Sequence, residues 1–214
     1  MTEVNRRRLL IAVGLLLSLG LALLPLGPWG RTYSGLGRLL GGEVLWWIAV
    51  AVVLLYVLLV ERRSVASIGL RRPKLWDLVP AVIAGLLLVA GIIVIYQIVF
   101  PLLHLAMNVH EMKALRDTPF WYRFLLVTRA AVAEELLFRG YPIERLKEWS
   151  GSTALAAVIS WAAFTYAHLG TWGPAQLIVA GYGGVVLTVL YLWRRNLPAN
   201  MLAHWIADGA GFLL

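Results

Sequence analysis

The chain has 214 residues, of which 61% are hydrophobic and only 14% are charged. Soluble domains are close to half apolar and about a quarter charged, so this composition excludes an ordinary soluble globular protein. The formal net charge of +8 does not indicate a nucleic-acid partner, because the basic residues form short clusters between apolar runs, as the positive-inside rule and anionic lipid require. The absence of cysteine excludes disulfides, thiolate metal sites and cysteine nucleophiles.

Apolar runs along the chain predict an all-α fold, a polytopic transmembrane helix bundle of about seven spans. A helix needs roughly 20 apolar residues to cross a bilayer, and most of these runs lack the polar face of a soluble helix. The predicted spans are residues 8–26, 43–60, 78–103, 120–142, 152–169, 174–193 and 197–213. For the first span a removed signal peptide is the alternative, although no clear small-x-small cleavage site is present.

The segments between spans set the expected topology. Residues 61–77 form a basic connector that we expect along the membrane interface, and residues 104–119 are predicted to be a polar loop. With the N-terminus in the cytoplasm, thirteen Lys and Arg residues fall on the cytoplasmic side and only four, Arg31, Arg38, Lys113 and Arg116, on the other. This bias predicts multi-pass insertion into the cell membrane with a cytoplasmic N-terminus and an extracytoplasmic C-terminus.

The fourth span carries charges that a simple anchor would not contain. Glu134, Glu135 and Arg139 together oppose insertion by roughly 8–10 kcal/mol on insertion scales. Glu135 and Arg139 lie four residues apart and are predicted to pair on one helix face. Glu134 points about 100° away, so we expect it to lack an arginine partner and to be free for chemistry. The alternative is a buried ion network that only holds helices together.

Two later spans add polar side chains at helical spacing. His168 lies four residues after Phe164 in the fifth span, and Asn200, His204 and Asp208 line one stripe of the seventh. A carboxylate and two imidazoles suit activation of water, and the same groups could also bind zinc. His104 and His110 lie in the predicted polar loop and are interpreted as surface residues.

The three motifs in this order resemble the signature of the CPBP intramembrane protease family, which includes type II CAAX prenyl endopeptidases and bacteriocin-processing or immunity (Abi) proteins. The motifs are Glu134-Glu135-x-x-x-Arg139, Phe164-x-x-x-His168 and His204-x-x-x-Asp208. The resemblance covers residues 75–214, which would form the protease core. Residues 1–74 would add two N-terminal transmembrane helices and the basic interfacial connector. Asp208 stands where the family often has Asn.

The resemblance implies a role for each motif residue. Glu134 would be the general base acting on water, and His168 would position that water. His204 and Asp208 would stabilise the tetrahedral oxyanion, while Arg139 would support Glu135. We favour a glutamic-type site without a cofactor, because HExxH spacing is absent. Zinc bound by Glu134, His168 and His204 remains the alternative.

The predicted function is therefore that of an intramembrane endopeptidase, embedded in the lipid bilayer, that cleaves a membrane-anchored or exported protein or peptide. A non-proteolytic membrane protein, either a transporter with a proton relay or an immunity-type scaffold, is the alternative use of the same buried cluster. Helix arithmetic places the three groups in the outer half of the bilayer, with Arg129 reaching the headgroups. This predicts a site that opens toward the extracytoplasmic side.

Overall fold

The computed structural model describes residues 2–24, 36–106 and 108–214. Within these ranges the regular elements are helices and no strand occurs, which confirms the predicted all-α class. The principal helices are α1 (residues 3–23), α2 (36–60), α3 (75–102), α4 (Val109–Arg116), α5 (120–150), α6 (Thr153–Ala167), α7 (Gln176–Arg194) and α8 (Leu197–Phe212). Residues 25 and 26 of the first predicted span, and Arg31, lie outside the described residues.

Three helices in the described part of the chain are long and apolar enough to cross a membrane. They are Leu40–Val60, Leu75–Leu102 and Gln176–Arg194, and Thr153–Ala167 is a shorter apolar helix. Helices α1 and α5 do not belong to these three because they carry charged residues. Helix α8 does not belong to them because it has only 16 residues. The structure thus supports a membrane protein, but the count of seven spans is not confirmed.

Helix α5 lies at the centre of the bundle. Its N-terminal half packs against α2 and α8, and its C-terminal half packs against α1 and α6. Helix α8 also packs along α3, and α7 lies against α3 and α6. Since an apolar helix in lipid gains little from burying further apolar surface, close packing and polar contacts between helices must hold this arrangement. The central position of α5 brings its charged residues within reach of several neighbours.

One connecting segment differs from its predicted form, and a second packs against the bundle. The predicted polar loop contains α4, whose first turn is capped by the Asn108 side chain accepting a hydrogen bond from the Glu111 N–H at 3.3 Å. The connector after α2 is not confined to the surface, because Ile68 is fully buried. Gly69 follows with a φ of 80°, and the Tyr191 hydroxyl lies 2.6 Å from where a Cβ would stand. Only glycine satisfies both constraints.

Ion pairs gather the basic segments at one end of the bundle, which we call the basic end. They join α1, the connector, α3, α5 and α7, and comprise Arg7–Glu148, Arg63–Glu148, Arg145–Glu61, Arg194–Asp77 and Arg195–Glu144. Burial opposes ionisation of Glu148, but hydrogen bonds from Arg63 and Arg7 outweigh it and lower the pKa of Glu148 to about 2. The segments predicted to be cytoplasmic therefore meet at one end.

Candidate active site

A π-helical turn at Glu135–Gly140 interrupts α5 in the middle of the first motif. Pro142 has no N–H to donate back along the helix. The carbonyl groups four and five residues before it, those of Phe138 and Leu137, therefore need other partners. The Ser18 hydroxyl of α1 donates to the Leu137 carbonyl at 2.8 Å, and the Ser160 hydroxyl of α6 donates to the Phe138 carbonyl. Side chains from two neighbouring helices thus stabilise the turn that orients the motif.

Glu135 is the centre of a buried hydrogen-bond network. Arg139 donates from Nη1 to Glu135 Oε1 at 2.9 Å, and neither side chain has any exposed surface. His204 Nδ1 lies 2.9 Å from the same oxygen, and Asn200 donates to Oε2 at 2.9 Å. The predicted pair of Glu135 and Arg139 is confirmed. Asn200, which the sequence placed on the same stripe as His204 without a role, completes the network.

Arg139 also joins the first motif to the second. Its guanidinium carbon lies 3.8 Å from the centroid of the Phe164 ring, close enough for a cation–π contact in a dry environment. The ring of Phe164 in turn lies 4.5 Å from the imidazole of His168, centroid to centroid. The apolar residue of the second motif therefore separates the buried ion pair from the imidazole that follows it.

Glu134 places its two carboxylate oxygens in different surroundings. Oε1 lies 3.6 Å from Arg129 Nη1. Oε2 lies 4.0 Å from His168 Nε2 and 4.0 Å from His204 Nε2. The side chain of Glu134 is 14% exposed, compared with 0% for Glu135. The two adjacent acids of the motif are thus separated into one that is enclosed and one that is accessible.

The hydrogen bonds of the imidazoles define which nitrogens face Glu134. His168 Nδ1 lies 2.8 Å from the Phe164 carbonyl, which can only accept, so Nδ1 carries a proton and Nε2 is left for the site. His204 likewise uses Nδ1 toward Glu135, and its Nε2 lies 3.4 Å from Asp208 Oδ2. The predicted cluster of Glu134, His168, His204 and Asp208 is therefore brought together on three helices. His104 and His110 are exposed and lie outside it.

Two predictions about the arginines are wrong. Glu134 does have a neighbouring arginine, because Arg129 lies five residues earlier on α5 and its Nη1 is 3.6 Å from Glu134 Oε1. Arg129 does not extend to the headgroups, because it is 8% exposed and its Nε donates to Glu43 on α2 at 2.9 Å. The sequence offered no local signal for this contact, since 86 residues separate the partners.

The nitrogen–oxygen separations among Glu134, His168 and His204 in this arrangement are longer than those of a closed tetrahedral zinc site. Zinc–ligand distances of about 2.0–2.1 Å place neighbouring tetrahedral donors about 3.4 Å apart, whereas both imidazole nitrogens lie 4.0 Å from Glu134 Oε2. Among the described residues, no group of three or more His, Asp or Glu side chains is arranged to hold a metal ion. A water molecule bridging at about 2.8 Å spans 4.0 Å easily.

These helices define the class as an all-α membrane protein with a buried glutamate–histidine centre. Residues 116–210 match the family described as type II CAAX prenyl endopeptidase, Rce1-like. The match confirms the family that the three motifs indicated, and the part of the chain from α5 to α8 is a domain of this type. Comparisons with curated proteins and with solved structures gave no match. The family indicates an intramembrane endopeptidase of the CAAX type.

Proposed function

We propose that the protein is a glutamic-type intramembrane endopeptidase in which Glu134 activates water for attack on a peptide bond. The observation that carries the proposal is the position of Glu134 Oε2, at 4.0 Å from both His168 Nε2 and His204 Nε2. A water molecule that bridges Glu134 Oε2 to either imidazole nitrogen spans 4.0 Å with ordinary hydrogen-bond lengths. A carboxylate that contacts the water it deprotonates meets the geometric requirement for a general base.

The chemical steps follow from the hydrogen-bonding capacity of each group. The water donates one hydrogen to Glu134 Oε2 and the other to the unprotonated Nε2 of His168, which directs its lone pair toward the substrate carbonyl. Glu134 takes the first proton as the new C–O bond forms. The same proton then passes to the leaving nitrogen as the C–N bond breaks.

His204 is the proposed donor to the oxyanion. Its ring lies between the carboxylates of Glu135 and Asp208, so it can carry a proton on both nitrogens and donate from Nε2. An ionised Asp208 has no hydrogen to donate, and we therefore assign it the role of keeping the proton on His204 Nε2. Glu135 and Arg139 fix the position of the ring from the other side.

The proposed substrates are membrane-associated proteins or peptides. Their cleaved segment must reach Glu134, His168 and Asp208, whose side chains are 14%, 21% and 24% exposed. The family description makes a C-terminally prenylated peptide one probe, and a peptide anchored by an apolar tail is the other.

The function is tested by hydrolysis in ¹⁸O-labelled water with purified, chelator-treated protein in liposomes. We expect one of the two probes to be cleaved, with ¹⁸O in the new carboxyl group even in a single turnover, and with less than stoichiometric metal in the active protein. If the new carboxyl group instead contains unlabelled oxygen after the first turnover, that oxygen came from the carboxylate of Glu134, and Glu134 acts as a nucleophile. Activity that returns only when zinc is added would contradict the metal-free mechanism, and no cleavage of either probe would contradict the function.

We also propose that the basic end faces the cytoplasm and that the site opens toward the opposite side. The positive-inside rule supports this orientation. His168 and Asp208 belong to the opposite end, where Trp172 stacks on Phe212 and Arg123 donates to the Phe212 carbonyl at 2.9 Å.

Cysteine labelling measures this orientation directly, because the natural chain has no cysteine. Ser64 lies at the basic end and His110 lies at the opposite end of the bundle, and both residues are exposed. Each is replaced by cysteine in a separate variant. An impermeant thiol reagent added to intact cells should label His110→Cys, whereas Ser64→Cys should react only after permeabilisation. The reverse pattern would place the open end of the site in the cytoplasm and favour processing of prenylated cytosolic proteins.

A further inference from the structure

A second buried ion pair lies beside the site and involves a helix outside the region that matches the family. Arg129 of α5 donates from Nε to Glu43 Oε2 at 2.9 Å and from Nη2 to Glu43 Oε1 at 3.3 Å. Glu43 belongs to α2 and is 5% exposed, and Arg129 is 8% exposed. The family match begins only at residue 116. Helix α2 therefore supplies a charged group that the matched domain does not contain.

Helix α2 holds Arg129 by an aromatic contact as well. Trp46 lies three residues after Glu43, hence on the same face of α2. Its ring centroid is 5.1 Å from the guanidinium carbon of Arg129, within the range of a cation–π contact. The forked hydrogen bond from Glu43 fixes the plane of the guanidinium, and the nearby ring of Trp46 further restricts its position.

The fixed guanidinium has one nitrogen left over, and this nitrogen faces the proposed base. Two of its three nitrogens, Nε and Nη2, bind Glu43, while Nη1 lies 3.6 Å from Glu134 Oε1. The other oxygen of Glu134 is the one that faces both imidazoles. Arg129 thus occupies the side of the carboxylate that the proposed water does not use.

We propose that Glu43 and Trp46 are positioning residues that act through Arg129. They hold its charge against Glu134 Oε1, so that Glu134 presents its other oxygen, Oε2, to water. The inference rests on the proposed function. The local charges support this role for Arg129. Among the described contacts, the four carboxylates of Glu43, Glu134, Glu135 and Asp208 are accompanied by two guanidinium groups, those of Arg129 and Arg139. Among the described contacts, Arg129 supplies the guanidinium that lies within 4 Å of Glu134.

The test replaces both members of the pair, because a single change would strand a buried charge and could unfold the protein. Glu43→Gln with Arg129→Gln keeps the shape and removes both charges. We expect kcat to fall at least tenfold, with KM within twofold and Tm close to the parental value. The single variant Arg129→Lys, with Glu43 unchanged, retains the positive charge but not the forked hydrogen bond. Its kcat should therefore lie between that of the parental protein and that of the double variant.

The matched control is the pair of Asp77 and Arg194, which joins α3 to α7 by a similar ion pair away from the site. Asp77→Asn with Arg194→Gln should leave kcat unchanged per folded molecule. Parental kcat in the Glu43→Gln, Arg129→Gln protein would overturn the proposal. So would an equal loss of activity in the control pair, because the effect would then be structural.

A stability cycle separates this inference from the proposed function. If the parental protein cleaves neither probe, the function fails, yet Arg129→Gln can still be compared in the parental and Glu134→Gln backgrounds. We expect Arg129→Gln to lower Tm less when Glu134 is already neutral. Equal losses in the two backgrounds would show that Arg129 and Glu134 do not interact.

Discussion

Replacing Glu134 by Gln is expected to abolish peptide hydrolysis while leaving a folded, membrane-inserted protein. Glutamine keeps the size of the side chain but cannot take a proton from water, and general-base catalysis contributes about 10²–10⁴-fold in rate. Arg129 is not stranded by the change, because it keeps its bonds to Glu43. The measurements are the rate of cleavage of the peptide probe and Tm in the same detergent.

The matched control for this change is Asp117→Asn. Asp117 is an exposed carboxylate in the short segment after α4, with a side chain that is 64% exposed, and its neutralisation should alter neither rate nor Tm. A Glu134→Gln protein that hydrolyses the probe at the parental rate would remove Glu134 from the mechanism. Loss of rate accompanied by an equal loss of folded protein would favour a structural ion network.

Replacing Glu135 or Arg139 by Ala is expected to destabilise the protein as well as inactivate it. Both side chains are completely buried, and breaking such a pair leaves an uncompensated charge at a cost of about 3–5 kcal/mol. Thermal unfolding in detergent, together with the yield of inserted protein, measures the effect. This behaviour should distinguish Glu135 from its neighbour Glu134, although the two residues are adjacent in the sequence.

The double replacement of Glu135 and Arg139 should recover part of the lost stability. Recovery will be incomplete because Asn200 and His204 also lose their shared acceptor. The comparison is a double-mutant cycle, in which additive losses would contradict a direct pair. A parallel cycle on the exposed pair of Lys113 and Asp117 should show little change, since solvent screens such contacts.

The sequence predicted the parts of the fold and site that depend on local spacing. Long apolar runs can only be helices in a bilayer, and the pairing of Glu135 with Arg139 follows from their spacing of four residues. The approach of His168 and His204 to Glu134 was predicted through the family resemblance, not from any single helix. These features depend on short stretches of chain or on motifs with a fixed order.

The parts that the sequence did not predict depend on contacts between distant helices. The pairing of Glu43 with Arg129 needs α2 to pack on the first half of α5, and no periodicity within either helix specifies that contact. The π-helical turn depends on hydroxyl groups of Ser18 and Ser160 that lie on two other helices. In α4, by contrast, Asn108 was a readable capping signal, but the polar composition of the segment favoured a loop.

The ion pairs at the basic end have a consequence for how the bundle moves. Glu148 binds arginines from two other segments, and Glu61 and Asp77 tie further helices to the same end. Toward the opposite end, the ion pair of Arg129 and Glu43 joins α5 to α2, and Arg123 donates a hydrogen bond to the Phe212 carbonyl of α8, whereas the ion pair between Lys113 and Asp117 joins no two long helices. Because the ion pairs between arginines and carboxylates of different segments are concentrated at the basic end, thermal fluctuations that separate helices should be smallest there. An incoming peptide would then find that the helices separate more readily beside the proposed catalytic cluster than at the basic end.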